Sequence, residues 1–485
     1  MMRKKSLATN AILNTAKTVL GILFPLISFP YVSHVLGVEN LGIYNFSFSF
    51  LSYFLLIAAL GISTYGIREG TRYRDDKVQI QSFVSELFTI NMISTIVAYV
   101  LLIVLLFGIT FMEPYRKAVL ILSLEILFTT IGVSWVCNVY EDFLAIAVRT
   151  IAFQILSLIL LFVFVQSADD LYRYVAILVV SNSGANLANF FYIRKKYCKF
   201  NLTTKIDWKN HLKPILIIFS TTVAITVYVS SGITILGFMT NDYQVGLYGT
   251  AVKIYTVIKN ILAAILMVLI PRFTLVFSND DQKQSNELFS KVFNILTVIM
   301  LPMCTGLFSL SDDIVMIISG RDYMGATDSL RLLSIAVTFS LYAYMYTQCV
   351  LIPVKEEKIV LRATIISAVV NIVLNFLLIP MMGINAAALT TIIAECIMFV
   401  MAFYYSQKTV RLVGVWKNLV STLIGCICVF FICYFAKSIE LLLLRVMVSV
   451  CCSVLGYLLV LIVLRNSVLK QLKEMLVKGK KPISK

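Results

Sequence analysis

Residues 83–108 read FVSELFTINMISTIVAYVLLIVLLFG, a run whose one charged side chain is Glu86. About 20 apolar residues cross the roughly 30 Å hydrocarbon core of a bilayer as a helix. In lipid a helix satisfies its own backbone polar groups. Read outward in both directions, the same pattern returns. Apolar runs lie near 10–35, 42–66, 83–108, 116–139, 144–165, 172–193, 212–238, 244–270, 288–310, 328–352, 359–380, 384–405, 415–436 and 441–464. Only short loops separate them. The expected fold is therefore an all-α polytopic membrane protein of about fourteen transmembrane helices, with almost no mass outside the bilayer.

Composition agrees. Of 485 residues, 60% are hydrophobic and 14% charged, against about 45–50% and about 25% in soluble domains. A net charge of +16 would suit a nucleic-acid binder. Here, however, the basic residues sit in the loops between apolar runs, as the positive-inside rule describes, so no nucleic-acid partner is expected. The ten Cys lie mostly inside apolar runs and show no zinc-type spacing with the two His, His34 and His211. They read as small buried hydrophobes. Arg3, Lys4 and Lys5 before an apolar run resemble a signal peptide. Asn10, Asn14 and Lys17 interrupt that run and no A-x-A site follows, so a retained first helix is expected.

Lys and Arg also orient the chain. With the N-terminus inside, the inner segments carry Arg68, Arg72, Arg74 and Lys77, the cluster from Arg194 to Lys213, and a basic tail from Arg465 to Lys485, among others. The outer segments carry only Arg116, Lys117, Arg173, Arg321, Arg331, Lys437 and Arg445. This alternation requires an even number of spans with both termini cytoplasmic, in a multi-pass cell (plasma or inner) membrane protein. The basic loop at 194–213 divides the chain into an N-terminal lobe of six helices (1–200), a second lobe of six (201–410), and two additional helices with a basic tail (411–485). A short echo accompanies the division. Leu36-Gly37 and Leu41-Gly42-Ile43-Tyr44 are matched by Leu236-Gly237 and Val245-Gly246-Leu247-Tyr248. Many transporters are internal repeats with the binding site at the repeat interface.

A charge near mid-bilayer costs at least about 2.5–3.5 kcal/mol, so charges inside spans point to pairing, snorkelling or a wet cavity. Lys17 and Lys253 hold equivalent places in the two expected lobes, and both are candidates for a cationic cavity that receives an anion. Lys259 lies six residues beyond Lys253, about 240° around the helix, so it should face elsewhere, but it too is a candidate cation for the substrate cavity. Arg68 could line the inner mouth. Glu86, Glu125 and Glu395 could carry a coupling H+ or Na+, or simply pair with a cation. At the turn between helices four and five, Glu141 and Arg149 suit a structural ion pair. Pro25, Pro30, Pro271 and Pro302 should kink helices. Asn10, Asn14, Asn260, Asn371 and Asn375 could contact sugar hydroxyls or hold helices together.

No Walker A sequence, G-x-S-x-G or H-E-x-x-H occurs. The Asp pairs are adjacent (Asp169-Asp170, Asp280-Asp281, Asp312-Asp313) rather than spaced as D-x-D. A transporter is thus expected, not an enzyme, and no cofactor is called for; a membrane-embedded polysaccharide polymerase is the less favoured alternative.

The stretch Phe29-Pro30-Tyr31-Val32-Ser33-His34-Val35-Leu36-Gly37-Val38-Glu39-Asn40-Leu41-Gly42-Ile43-Tyr44 resembles the opening of bacterial oligosaccharide flippases. These belong to the multidrug/oligosaccharidyl-lipid/polysaccharide exporter superfamily. Leu60-Gly61-Ile62-Ser63-Thr64-Tyr65-Gly66-Ile67-Arg68-Glu69 is similar to that family's end of helix two. Trp135 with Glu141-Asp142-Phe143 and Arg149 resembles its helix four–five turn. Asn371, Asn375, Pro380, Gly383 and Ala386-Ala387-Ala388-Leu389-Thr390 resemble its helix eleven–twelve turn. The resemblance implies two six-helix lobes forming a V, plus two C-terminal helices. It also implies a monomer that turns polyprenyl-pyrophosphate-linked oligosaccharide from the inner to the outer leaflet by alternating access, for O-antigen, capsule or exopolysaccharide synthesis. Glycosyltransferases and a polymerase of the same pathway would be its partners, with the membrane lipids around it. Lys17 and Lys253 sit where cavity cations of related lipid II flippases are useful. The rival on the same fold is an ion-coupled drug/cation antiporter, which would favour an acidic, aromatic cavity.

Overall fold

The computed structural model describes residues 7–267, 269–278 and 281–469, with side chains from residue 24 onward except residue 278. Among the described residues the chain is helical throughout and contains no strand. The first unit runs α1 (Leu7–Ala59), α2 (Ile62–Tyr73), α3 (Lys77–Gly108), α4 (Arg116–Gly132), α5 (Trp135–Val139), α6 (Phe143–Phe164), α7 (Leu171–Lys196) and α8 (Trp208–Met239), into α9 (Asp242–Met267). The second continues with α10 (Ile270–Ser278), α11 (Gln282–Ser309), α12 (Ser311–Ser319), α13 (Thr327–Tyr346), α14 (Glu357–Met382), α15 (Ile384–Ser406), α16 (Trp416–Ala436) and α17 (Leu442–Val463). By compactness the units are Met1–Gly249 and Thr250–Lys485, so the boundary falls inside α9.

Among the described residues, eleven helical stretches are long and apolar enough to cross a membrane. The first, Phe24–Tyr73, holds two of the expected spans, because α1 bends at Gly37 (φ 76°, ψ 173°) with no loop between them. Two more expected spans lie outside the eleven. The run at 116–139 is divided into α4 and α5 near Val133 (φ 42°), and the run at 328–352 is α13 continued by a π-turn at Thr347–Leu351. With these, all fourteen expected apolar runs are helical. The break in the first span is at Gly37 rather than at Pro25 or Pro30, whose torsions stay helical. Glycine is suited to this position, since positive φ costs it nothing.

The lipid-facing surface is legible in burial. On α3, Ile90, Ala98, Leu102 and Leu106 are buried, while Ile96, Val100, Ile103, Val104 and Phe107 are exposed. A water-facing helix would not present that many large aliphatics. In the first unit α1 packs on α3, α4, α6 and α8, and α4 on α7. In the second, α15 packs against α13 and α14, and α16 against α11 and α17. The pair α16–α17 is tied to its unit by the Tyr457 hydroxyl donating to the Val298 carbonyl at 2.7 Å and by Arg445 with Asp313 at 2.7 Å.

The echo noted above has a spatial counterpart inside the first unit. A Cβ on Gly42 would collide with the carbonyl of Asp242, and a Cβ on Gly246 would collide with the carbonyl of Val38. Each glycine thus meets the residue four before the other, which is a reciprocal, near two-fold crossing of α1 and α9. Small residues at a membrane helix crossing allow backbones to approach this closely.

Candidate functional site

The intramembrane charges fall into two groups, those with a countercharge and those without. Lys259 and Glu395 form the clearest pair. Lys259, on α9, places Nζ 3.0 Å from Glu395 Oε1, on α15. The same oxygen accepts from the Tyr255 hydroxyl at 3.1 Å and the Ser340 hydroxyl at 2.8 Å. Tyr255 precedes Lys259 by one helical turn, so both reach α15 from one face of α9. An ion pair with two added donors is the arrangement that lets charges persist in a low-dielectric interior.

Glu125 is different. It lies nine residues into α4 from Arg116, about 14 Å along the helix axis. It is 5% exposed, and Oε1 accepts one hydrogen bond, from Asn182 Nδ2 on α7 at 2.7 Å. No cation lies within ion-pair distance among the described residues. Tyr44 of α1 is within its electrostatic reach, and Tyr174 of α7 packs edge to face on Tyr44 at 5.3 Å.

Lys253, on α9, is half-buried. It has neither a hydrogen bond nor an ion pair among the described residues. An ammonium has three donors and no acceptor, so all three are available to an anion. The six-residue spacing does separate it from Lys259, as expected. The side chain of Lys17 lies outside the described residues. Arg68 on α2 is a neighbour of Glu69 (3.1 Å) and largely exposed. Glu69 also holds Arg72 at 2.6 Å.

Glu86, near the start of α3, belongs to a polar cluster rather than a deep site. Its Oε2 accepts from the Asp207 backbone N–H at 3.0 Å and lies 3.2 Å from His211 Nε2, and Ser82 donates to Oε1 at 3.1 Å. The other ring nitrogen of His211 meets the Tyr65 hydroxyl at 2.9 Å. This fastens the segment before α8 to α2 and α3.

The expected Glu141–Arg149 pair does not form. Glu141 has positive φ (55°) and turns toward Arg74, at 3.0 Å, while Arg149 donates to Asn189 Oδ1 at 2.6 Å and stacks on Tyr192 at 4.1 Å. The acid that organises this turn is Asp142, which accepts from Lys196 at 2.8 Å and from the Tyr192 and Tyr197 hydroxyls at 2.6 Å each. Burial pushes its carboxyl up, but these donors win and hold it well below the usual carboxylate range. Asn371 and Asn375 are buried and closed into a ring with Thr390 (Asn375 to Asn371 3.0 Å, Asn371 to Thr390 3.3 Å, Thr390 to Asn375 2.7 Å). They tie α14 to α15. Asn260 is exposed, and Asn10 and Asn14 lie outside the described side chains. All ten Cys are free, six of them buried.

Sequence reasoning missed Asn182, Ser340, Tyr255 and His211. Tyr255 could have been found by its i, i+4 relation to Lys259. The others reach their acids across helices and leave no local signal.

The chain matches the family model described as polysaccharide biosynthesis protein over residues 7–277. It is 25% identical over 410 residues to a protein of Escherichia coli (strain K12) named as an O-antigen transporter, covering 81% of this chain and 95% of that protein. Among solved structures it resembles the lipid II flippase MurJ in an inward closed conformation (TM-score 0.75, 17% identity, 95% of this chain and all of that one). It also resembles an inward-facing multidrug resistance MATE family transporter of the MOP superfamily (TM-score 0.58, 13% identity, 82% of this chain and 97% of that one). At these identities the two structures speak for a shared fold. The family match covers more than half of the sequence, and the protein therefore belongs to the polysaccharide biosynthesis protein family, as a multi-pass membrane protein.

Proposed function

We propose that this chain is a flippase. It moves polyprenyl-pyrophosphate-linked oligosaccharide repeat units from the inner to the outer leaflet by alternating access, supplying a surface polysaccharide such as O-antigen or capsule. It works as a transporter in the plasma or inner membrane, with both termini cytoplasmic, and carries out no bond chemistry itself. Family membership and the O-antigen transporter relative support the substrate class. One observation carries the site: Lys253 is an ammonium on a membrane-spanning helix with no countercharge among the described residues. A pyrophosphate cannot enter hydrocarbon without replacement solvation. One ammonium at 4 Å offers about 4 kcal/mol at an effective dielectric near 20, before desolvation. Lys17, at the corresponding place in the first helix, is the second proposed cation, and Arg68 is proposed at the inner entrance. Lys259 is not proposed for substrate, because Glu395 already neutralises it.

The test is flipping of a fluorescent polyprenyl-pyrophosphate disaccharide in proteoliposomes. Lys253→Gln should slow it strongly at unchanged protein level, and Lys253→Arg should restore part of the rate. Full flipping by Lys253→Gln would remove the site assignment. Transport of organic cations with no effect of the pyrophosphate lipid would favour the antiporter.

A further inference from the structure

We propose that Glu125 is the proton site of this transporter, taking up and releasing one proton as the chain changes conformation. The proposal rests on the flippase reading for its context and on the first unit for its geometry. Three acids were candidates on sequence. Glu395 is paired with Lys259 and accepts from two hydroxyl donors, and Glu86 sits in a polar cluster with His211. Glu125 alone is deep, as buried as Glu395, and without a cation among the described residues.

The groups that face it come from each helix packed against α4. Tyr44 stands on α1 with Tyr174 of α7 packed on it, Asn182 stands on α7, and on α3 Tyr99 donates to the carbonyl of Ser123, two residues before Glu125. All are neutral. An isolated carboxylate at this depth is expensive, whereas the protonated acid needs only hydrogen bonds. Oε1 has its donor in Asn182. Oε2 has no partner among the described residues. That oxygen is where the proton would bind. The step balances simply: hydronium on one side of the membrane gives a proton to Oε2, the neutral acid passes through the conformational change, and the O–H bond breaks to return the proton to water on the other side. Sodium fits less well, because the set supplies one carboxylate and an amide whose NH2 already faces it, whereas a hard cation wants several oxygens.

The experiment follows flipping of the same fluorescent lipid in proteoliposomes with and without an imposed pH gradient, for wild type, Glu125→Gln, Glu125→Asp and Glu395→Gln. Wild type should flip faster with the gradient. Glu125→Gln should flip at the gradient-free rate in both conditions, and Glu125→Asp should regain gradient dependence. A second readout does not depend on transport: the infrared carbonyl stretch of a protonated carboxylic acid in purified wild-type protein should be lost in Glu125→Gln and kept in Glu395→Gln. Gradient acceleration that survives Glu125→Gln overturns the proposal, as does an infrared band indifferent to that change. Acceleration by a sodium gradient that Glu125→Gln abolishes overturns it in favour of a sodium site. Absence of flipping by wild type would instead sink the flippase reading, and the infrared result would still judge Glu125.

Discussion

Glu125 and Glu395 are hidden to the same degree, each 5% exposed, in different units of the chain. Around Glu395 the protein has gathered an ammonium and two hydroxyls; around Glu125, one amide and neutral rings. Burial alone therefore says little about the charge a carboxyl carries. What decides is whether the neighbouring helices supply a countercharge, and among the described residues one unit does while the other does not. Glu125 is left without a countercharge among the described residues, whereas Glu395 pairs with Lys259 and binds α9 to α15.

The comparison breaks most violently if Glu395 is made to resemble Glu125. Lys259→Ala leaves a buried charge uncompensated and should cost about 3–5 kcal/mol, read as a fall in thermal unfolding temperature in detergent. Lys259→Ala with Glu395→Ala should cost less than the sum of the two single changes. The reverse conversion is Asn182→Lys, which gives Glu125 a cation. It should hold Glu125 ionised and abolish the response of flipping to a pH gradient, with the folded protein retained. Asn182→Ala, which removes the one donor, should cost about 1–3 kcal/mol in the same unfolding measurement. Ser340→Ala should cost only about 0.5–1.5 kcal/mol, since Tyr255 and Lys259 still donate to Glu395.

A third acid marks the far end of the scale. Asp142, outside the spans, has three donors and a depressed pKa. Its contribution to stability is fully present above the ordinary aspartate pKa and is lost as pH falls toward the folded-state value. Asp142→Asn should flatten the acid limb of stability measured against pH, with the loss of stability largest at neutral pH and shrinking as pH falls.

Much of the architecture was legible because hydrophobicity is a local property. Each apolar run of about 20 residues must be helical in lipid whatever surrounds it, and so the run at 83–108 could be read without its neighbours. Gly37 and Val133 show where this fails. A positive-φ bend within α1 and one after α4 leave little trace in hydropathy, so two spans fused and another divided. Glu141 and Arg149 suggested a partnership by proximity in sequence, but the turn directed Glu141 to Arg74 instead.

The residues alone settled that the chain crosses a membrane many times as helices, and they located its deep charges. Which of those charges are neutralised was decided only by the tertiary fold. The Glu125–Asn182 bond joins residues 57 apart and the Lys259–Glu395 pair residues 136 apart. Coulomb and hydrogen-bond energies depend on distance through space. They are set when helices remote in sequence are brought together, whereas the preference of an apolar helix for lipid is fixed one segment at a time.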